Sequence, residues 1–327
     1  MMTNKKVVAV GGGTGLSTML RGLRSYTHNI TAVVSVADDG GSSGMLRSDL
    51  GMLPPGDVRN CITALANADP VMGELLAFRF KEGALKGHCF GNLFLAALNE
   101  MSVSFDEAVH KMSRTLGVVG RVYPVTNQDV TLSAVLEDGR RIDGESNIGR
   151  RNGMEGRVDH VILTPGHPQA VEGVIKALEE ADIIVLGPGS LYTSVIPNLL
   201  VDGVSEAIQK SMAVKIYVCN LMSQAGETEN YSVHDHLEAI EKHSYHGITD
   251  YVLANNEQIP ESVIHRYAEE EAYMVSIDEQ NFTDGCTTLV QGNLLLIKDE
   301  QIRHNFSRLA RAIMLLEKRH QRDQRRL

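Results

Sequence analysis

Short apolar runs alternate along this chain with stretches whose apolar residues recur every three or four positions. The first run, 7–10, ends in Gly11-Gly12-Gly13-Thr14-Gly15, after which Leu16, Leu20 and Leu23 take up helical spacing. That is strand, glycine turn, amphipathic helix. A second strand over 31–36 leads into Ala37-Asp38-Asp39-Gly40-Gly41-Ser42-Ser43-Gly44. The segment on to Asn60 is rich in Gly, Pro and Ser and reads as a loop; Pro54-Pro55-Gly56 breaks the chain and Asp57 is placed to cap a helix from Val58. Gly87-His88-Cys89-Phe90-Gly91-Asn92 opens a helix over 93–98. Ser104 and Glu107 form a capping box for the next helix, with Val109, Met112 and Leu116 inward.

From about 118 to 164 the pattern changes. Apolar stretches at 130–135 and 141–143 flank Glu137-Asp138-Gly139, a hairpin signal, so this part is expected to be an antiparallel excursion. Pro168 then starts a helix with Val171, Val174, Ile175 and Leu178 inward. A buried strand over 182–186 ends in Gly187-Pro188-Gly189-Ser190 and is followed by a helix over 196–208 and a strand over 214–218. Helix 233–242, strand 250–253 and helix 260–270 continue the alternation, and a helix at about 305–322 shows Phe306, Leu309, Ile313 and Leu316 on one face. Strands alternating with helices imply a mostly parallel sheet covered on both sides. The expected fold is α/β, a Rossmann-like three-layer α/β/α arrangement forming one domain over 1–327, with an antiparallel hairpin excursion at about 118–164 as a lid or an edge.

The glycines let the chain turn tightly and approach a ligand closely. N–H groups at the start of the following helix lack internal partners and lie at the positive end of its dipole, which suits a phosphate. The loop is neither of the common nucleotide fingerprints: G-x-G-x-x-G fails at Leu16, and no Lys follows as in a P-loop. A second strand–glycine–helix unit at 187–190 strengthens the phosphate expectation. In such sheets ligands bind outside the carboxyl ends of the strands where strand order switches. Two glycine loops there suit a ligand with two phosphates, or a phosphodiester being made.

Asp38 and Asp39 admit three uses: hydrogen bonds to ribose hydroxyls, ligation of Mg²⁺ beside substrate phosphates, or a self-satisfied turn. Asn220 and the polar run after it suit a base or sugar, or a plain loop. His88 and Asn92 sit at a helix start, where they either face the same crevice or cap the helix. His234, His236, His243 and His246 lack zinc spacing and read as solvated surface. There is no G-x-S-x-G elbow and no Cys–His frame, which argues against covalent hydrolase chemistry.

Composition narrows the picture further. The 327 residues are 43% hydrophobic, enough for a sizeable core. No Trp and 5% aromatics leave little surface for stacking nucleic-acid bases. A net charge of −10 argues against broad binding of nucleic acid or anionic membrane. The basic run near the C-terminus, Lys318 to Arg326, reads as a solvated helix end. The first residues lack the apolar run of a signal peptide and no stretch is long enough to span a bilayer. Four scattered cysteines fit reduced thiols, so a cytoplasmic location is expected.

The segments GGGTGLSTMLRGL (11–23), ADDGGSSGMLR (37–47), LPPGDVRNC (53–61), GHCFGNL (87–93), GPGSLYTSVIPNLL (187–200) and CNLMSQAGETENY (219–231) together resemble the gluconeogenesis-factor (YvcK-type) family of bacteria. That family is related to 2-phospho-L-lactate transferase, so the fold is expected to be CofD-like. The resemblance implies that aspartates matching Asp38 and Asp39 hold Mg²⁺ in the transferase relatives, beside a nucleotide diphosphate substrate. It implies for the gluconeogenesis-factor branch a UDP-sugar ligand, notably UDP-N-acetylglucosamine. It also ties that branch to peptidoglycan regulation, cell shape and growth on gluconeogenic carbon. A Tyr and an Arg matching Tyr267 and Arg303 serve the nucleotide-sugar there; Tyr stacks on a uracil or sugar face and Arg pairs with a diphosphate. The expected site is therefore Gly11, Gly12, Gly13, Thr14, Gly15, Asp38, Asp39, Asn92, Gly187, Pro188, Gly189, Ser190, Asn220, Tyr267 and Arg303. The expected role is that of a regulator with a small-molecule nucleotide ligand, a protein partner in envelope synthesis and a homo-oligomeric state. A Mg²⁺-dependent transferase and an NAD-binding protein are the alternatives; ADDGGSSG and GHCFGNL depart from the transferase branch.

Overall fold

The computed structural model describes residues 2–150, 156–283 and 285–325. Its first strand, β1 (Val7–Gly11), is buried along its whole length, as a strand covered on both faces must be. α1 (Gly13–Leu23) follows, with Leu16, Met19, Leu20 and Leu23 turned into the core. Then come β2 (Ile30–Val34), α2 (Gly41–Leu50), α3 (Gly56–Leu65), α4 (Pro70–Ala77), α5 (Phe90–Glu100), α6 (Phe105–Thr115) and β3 (Arg121–Pro124). Ser104 caps α6 by accepting from the Glu107 N–H, but the Glu107 carboxylate takes the Val103 N–H rather than that of Ser104.

β4 (Thr131–Leu136), β5 (Arg141–Asp143) and β6 (Val158–Thr164) form a separate antiparallel sheet ordered β5-β4-β6, with α7 (Glu145–Arg150) after the hairpin. The chain returns through α8 (Glu172–Glu179) and β7 (Ile183–Leu186). A π-helical turn, Leu191–Val195, leads into α9 (Ile196–Leu199) and α10 (Val204–Lys210). β8 (Val214–Val218), α11 (Val233–Lys242), β9 (Tyr251–Asn255), α12 (Glu261–Glu269) and β10 (Thr288–Gly292) continue the alternation. The antiparallel hairpin of β11 (Leu295–Lys298) and β12 (Gln301–His304) and the long α13 (Phe306–Gln324) complete the chain.

The central sheet has the order β10-β9-β8-β7-β1-β2-β3, and all its pairings are parallel. With helices packed around it, this is the expected Rossmann-like α/β architecture. β1 lies between β2 and β7, so the chain builds outward on one side, returns, and builds outward on the other. The carboxyl ends of β1 and β7 therefore flank the switch in strand order, where such sheets bind ligands. No helix among the described residues is long and apolar enough to cross a membrane.

Several local expectations differ from the structure. The stretch after Asp39 contains α2 rather than a continuous loop; its Gly and Ser residues hide a helix whose buried members are only Ser42, Ser43 and Leu46. β3, at the start of the supposed excursion, is the edge strand of the central sheet instead. The helix placed at Pro168 begins at Glu172. The helix over 196–208 is broken at Gly203, which takes a left-handed conformation, φ 85°. β10 and the β11–β12 hairpin carry no strong sequence signal and were not expected.

Candidate functional site

The two glycine loops meet at the switch point. A Cβ on Gly15 would lie 2.6 Å from the Pro188 carbonyl oxygen, and one on Gly189 would lie 3.1 Å from that of Gly12. Only glycine allows the loops this approach. The buried Asn198 of α9 ties the first loop to the turn that follows the second, its Nδ2 donating to the Gly11 carbonyl at 3.2 Å and to the Ser194 carbonyl at 2.8 Å. Gly187-Pro188 is a cis peptide.

The N-terminus of α1 is not wholly open. Gly12 is its cap residue and offers no side chain. The Asp57 carboxylate reaches across from α3 and accepts the Gly13 N–H at 2.6 Å. Asp57 is thus a cap, as the sequence suggested, but of α1 rather than of its own helix, whose cap position is Pro55. Burial, with help from the neighbouring Asp38, pushes the Asp57 carboxyl up to about 6, against the pull of the Gly13 N–H and Arg59.

Two arms of one cleft run outward from these loops, sharing Thr14, Gly15, Gly189, Ser190, Gln224 and Glu227. One arm, about 470 Å³, is bounded by Asn220, Leu221, Tyr267, Ile302, Arg303 and His304. The other, about 380 Å³, is bounded by Asp38, Asp57, Glu145, Thr193 and Glu227. This second arm is strongly acidic. Burial first, then the charges of Asp38, Glu227 and Asp39, raise the Glu145 carboxyl to about 7. Thr193 donates to Ser190 Oγ at 2.6 Å and Ser190 donates to the buried Glu227 carboxylate, so a hydroxyl relay joins the second glycine loop to an acid.

The structure separates the two aspartates. Asp38 borders the acidic arm, with its Oδ1 also accepting its own turn's Gly40 N–H at 2.9 Å. Asp39 is absent from the residues bounding either arm, and its Oδ1 accepts the Ser146 N–H of α7 at 2.8 Å, holding the excursion against the sheet. Among the described residues, no three His, Cys, Asp or Glu side chains form a ready metal set.

Asn92 is brought to neither arm. It is buried between α2, α3 and α5, accepting from Arg59 Nε at 3.2 Å and donating to Ser42 Oγ at 3.2 Å. Ser42 also accepts the Cys89 N–H and lies 3.4 Å from His88 Nδ1. The three motif segments at 37–47, 53–61 and 87–93 are thus knitted into one polar network beneath the acidic arm.

Tyr267 and Arg303 do meet, across the first arm. Tyr267 Oη accepts the Ile302 N–H at 2.8 Å, fixing α12 to β12. Arg303 is exposed and donates to Gln301 Oε1 at 2.8 Å. Asn220 lies at the end of β8, 3.5 Å from Gln224 Oε1. Glu145, Glu227 and His304 belong to the cleft but were not foreseen. Glu227 lies inside the motif 219–231, which was a usable signal; Glu145 and His304 stand in segments with no motif at all.

This chain matches the family described as 2-phospho-L-lactate transferase CofD over residues 7–295. It is 52% identical over 318 residues to a protein of Thermoanaerobacterium thermosulfurigenes, covering 97% of this chain and 98% of that one. It is 42% identical over 314 residues to the gluconeogenesis factor of Bacillus subtilis (strain 168), covering 96% and 98%. A crystal structure of a Bacillus halodurans protein agrees with it at a TM-score of 0.92 and 43% identity, over 95% of this chain and all of that one.

Proposed function

This chain belongs to the CofD family, among the gluconeogenesis factors, and from that premise we propose that it binds a uridine-diphosphate sugar in the cleft between its glycine loops. One observation carries the proposal: the loops 11–15 and 187–190 close on each other at the switch point. Their backbone N–H groups and the α1 dipole favour phosphate oxygens. Arg303, exposed at the mouth of the first arm, pairs with a diphosphate, and Tyr267 offers a ring face to a uracil or sugar. UDP-N-acetylglucosamine is the ligand proposed, and the liganded state is read by a protein partner in envelope synthesis. The output is a shift between conformations that the ligand contacts differently.

Mg²⁺ fits the acidic arm through Asp38. Its charge opposes ionisation of both Asp57 and Glu145, and a cation there relieves that repulsion. A single carboxylate with ligand phosphates is a normal Mg²⁺ environment, so no three-residue set is required. The metal would offset phosphate charge.

A thermal-shift panel of UDP-N-acetylglucosamine, UDP, GDP and NAD, each with and without Mg²⁺, tests the proposal. A ligand that binds only the folded state raises the melting temperature. A rise for the uridine compounds is expected; a rise confined to GDP or NAD overturns it. NAD belongs in the panel because the strand order is that of dinucleotide-binding sheets. The transferase alternative is favoured by Glu145, a carboxyl of near-neutral pKa suited to proton transfer. With UDP-N-acetylglucosamine, Mg²⁺ and a cell extract as the source of an acceptor alcohol, release of UDP or UMP beyond stoichiometry that vanishes in Glu145→Gln would select the enzyme over the regulator.

A further inference from the structure

β3 leaves one side of the central sheet open. It is the last strand in the order and, among the described residues, pairs in the sheet with β2 alone. In a parallel pairing alternate residues bond toward the neighbour and the others face outward. Val125, just beyond β3, donates its N–H to the Val34 carbonyl at 2.9 Å, so the odd-numbered residues here serve β2. The N–H and carbonyl of Val122 therefore point away from the sheet. A groove of about 600 Å³ runs along this edge, bounded by Val122 and by the exposed His110 and Arg114 of α6.

A second recess, about 330 Å³, shares Gly120, Arg121 and Tyr123 with the first. Alternation along the strand sends Arg121 and Tyr123 to the face opposite Val122. The Tyr123 ring rests there on α8, where a Cβ on Gly173 would lie 2.6 Å from it. Lys6 and Lys176 also border this recess. Both recesses are basic, in a chain whose net charge is −10. Among the described residues, Glu180 is the one carboxylate bordering either, and Lys6 pairs with it at 2.9 Å. The hydrogen bond and charge of Lys6, then the charges of Lys176 and Arg121, hold the Glu180 carboxyl below its ordinary value. Among the described residues, the side chains of Arg114, Arg121 and Lys176 make no hydrogen bond or ion pair.

We propose that the open edge of β3 takes up an extended acidic segment of a protein partner, which joins the sheet as a further strand. Edge addition draws its hold from main-chain hydrogen bonds and its choice of partner from recesses for alternate side chains. Successive side chains of an added strand point to opposite faces. One goes toward His110 and Arg114, the next toward Arg121 and Lys176. Carboxylates on both faces then meet cations that nothing else in the protein engages. A second copy of this chain is the poorer occupant, because edge to edge it sets Arg121 among like charges. A charged residue and a proline on an edge strand are devices against self-pairing; they leave pairing with an acidic strand open. A free anion would leave the outward groups of Val122 unmet. The surface lies by the amino ends of β1 and β2, whereas the cleft lies at the carboxyl ends of the strands, so its test is independent of the nucleotide reading.

The probe is a fluorescein-labelled peptide of valine–glutamate–glutamate repeated three times, whose acids fall on both faces of a strand. Fluorescence anisotropy at low ionic strength gives its affinity for the wild type, Arg114→Gln, Arg121→Gln and the double variant, with thermal melts to establish folding. Each single change is expected to weaken binding about 2- to 5-fold, and the double change more than either, as exposed charge pairs do. Amide exchange across 119–125 is expected to slow when the peptide binds. The same peptide methylated at its backbone nitrogens keeps its charge but cannot form a ladder, so it should bind far more weakly and protect nothing. Equal binding of the methylated peptide would reduce the edge to an anion site and overturn strand addition. Equal binding of a peptide with glutamine in place of glutamate would overturn the demand for acids. A dimer in sedimentation whose 119–125 amides are protected without peptide would give the edge to a second copy instead. No binding of the acidic peptide, or binding with protection elsewhere, would likewise overturn the proposal.

Discussion

The two walls of the first arm are built in opposite ways. The wall of glycine loops grows out of the main core: β1 and β7 are wholly buried, and Asn198 of α9 donates to the Gly11 carbonyl at the end of β1. The facing wall, carrying Tyr267 and Arg303, stands on α12 and the β11–β12 hairpin. α12 has no buried residue. That wall rests on a separate apolar cluster whose buried members, among the described residues, are Leu221, Ile259, Leu295 and Ile302. Local stability follows buried apolar contact. The wall of glycine loops is therefore held by the main core, while the facing wall is thinly anchored.

Four measurements break or sharpen this contrast. The largest effect on binding is expected from Gly15→Val. Its side chain meets the Pro188 carbonyl where even a Cβ would lie at 2.6 Å, so the glycine wall must part. No binding heat should remain, and overpacking should cost about 1–3 kcal/mol of stability. Retained affinity would show that the ligand does not use the loops. Next comes Ile302→Ala, which empties the small cluster at a typical cost of about 2–5 kcal/mol. Amide exchange should accelerate across 257–304 and leave β1 and β7 protected; equal acceleration in both would make the two walls one cooperative unit.

Arg303→Ala should weaken a uridine diphosphate ligand about 10- to 100-fold, the worth of a charge-assisted hydrogen bond. Because Arg303 is exposed, the melting temperature of the free protein should stay within about 1 °C. A matching fall in stability would mean that Arg303 supports the wall rather than the ligand. The smallest effect concerns the acidic arm. Asp57 and Glu145 have carboxyls raised to about 6 and about 7 from ordinary values of 3.8 and 4.5. The folded state then holds more protons than the unfolded one, so their contribution is full below pH 4 and is lost as pH rises through 6 and 7. Melting temperature followed from pH 4 to 8 should fall less steeply in Asp57→Asn and Glu145→Gln than in the wild type. Identical slopes would remove the two carboxyls from the protein's pH response.

Much of the sheet was legible because it is local. β1, β7 and β8 are apolar runs bounded by turn residues, and the loops at 11–15 and 187–190 declare themselves by glycine. α2 was hidden by Gly and Ser, which favour caps and turns over helix interiors. The β11–β12 hairpin turns through Asp299-Glu300, both at positive φ, where the readable signals are Asn-Gly or Asp-Gly. β3 was not singled out within the stretch read as an excursion, because a four-residue strand carries little periodic signal.

The sequence by itself determined the alternation of strands and helices, the two glycine loops at strand ends and the family. Periodicity, turn chemistry and motif order act over short stretches of chain, so they can be read one stretch at a time. Tertiary structure alone decided which residues share a cleft. Neighbours in sequence, Asp38 and Asp39, part company because one borders the acidic arm and the other is claimed by Ser146 across the excursion. Asn92 is drawn into the packing of three helices, and Asp57 caps a helix 44 residues away in the chain. His304 reaches the edge of the cleft from a strand with no motif. Which way a side chain points, and what it meets there, depends on contacts between distant segments, which no local pattern encodes.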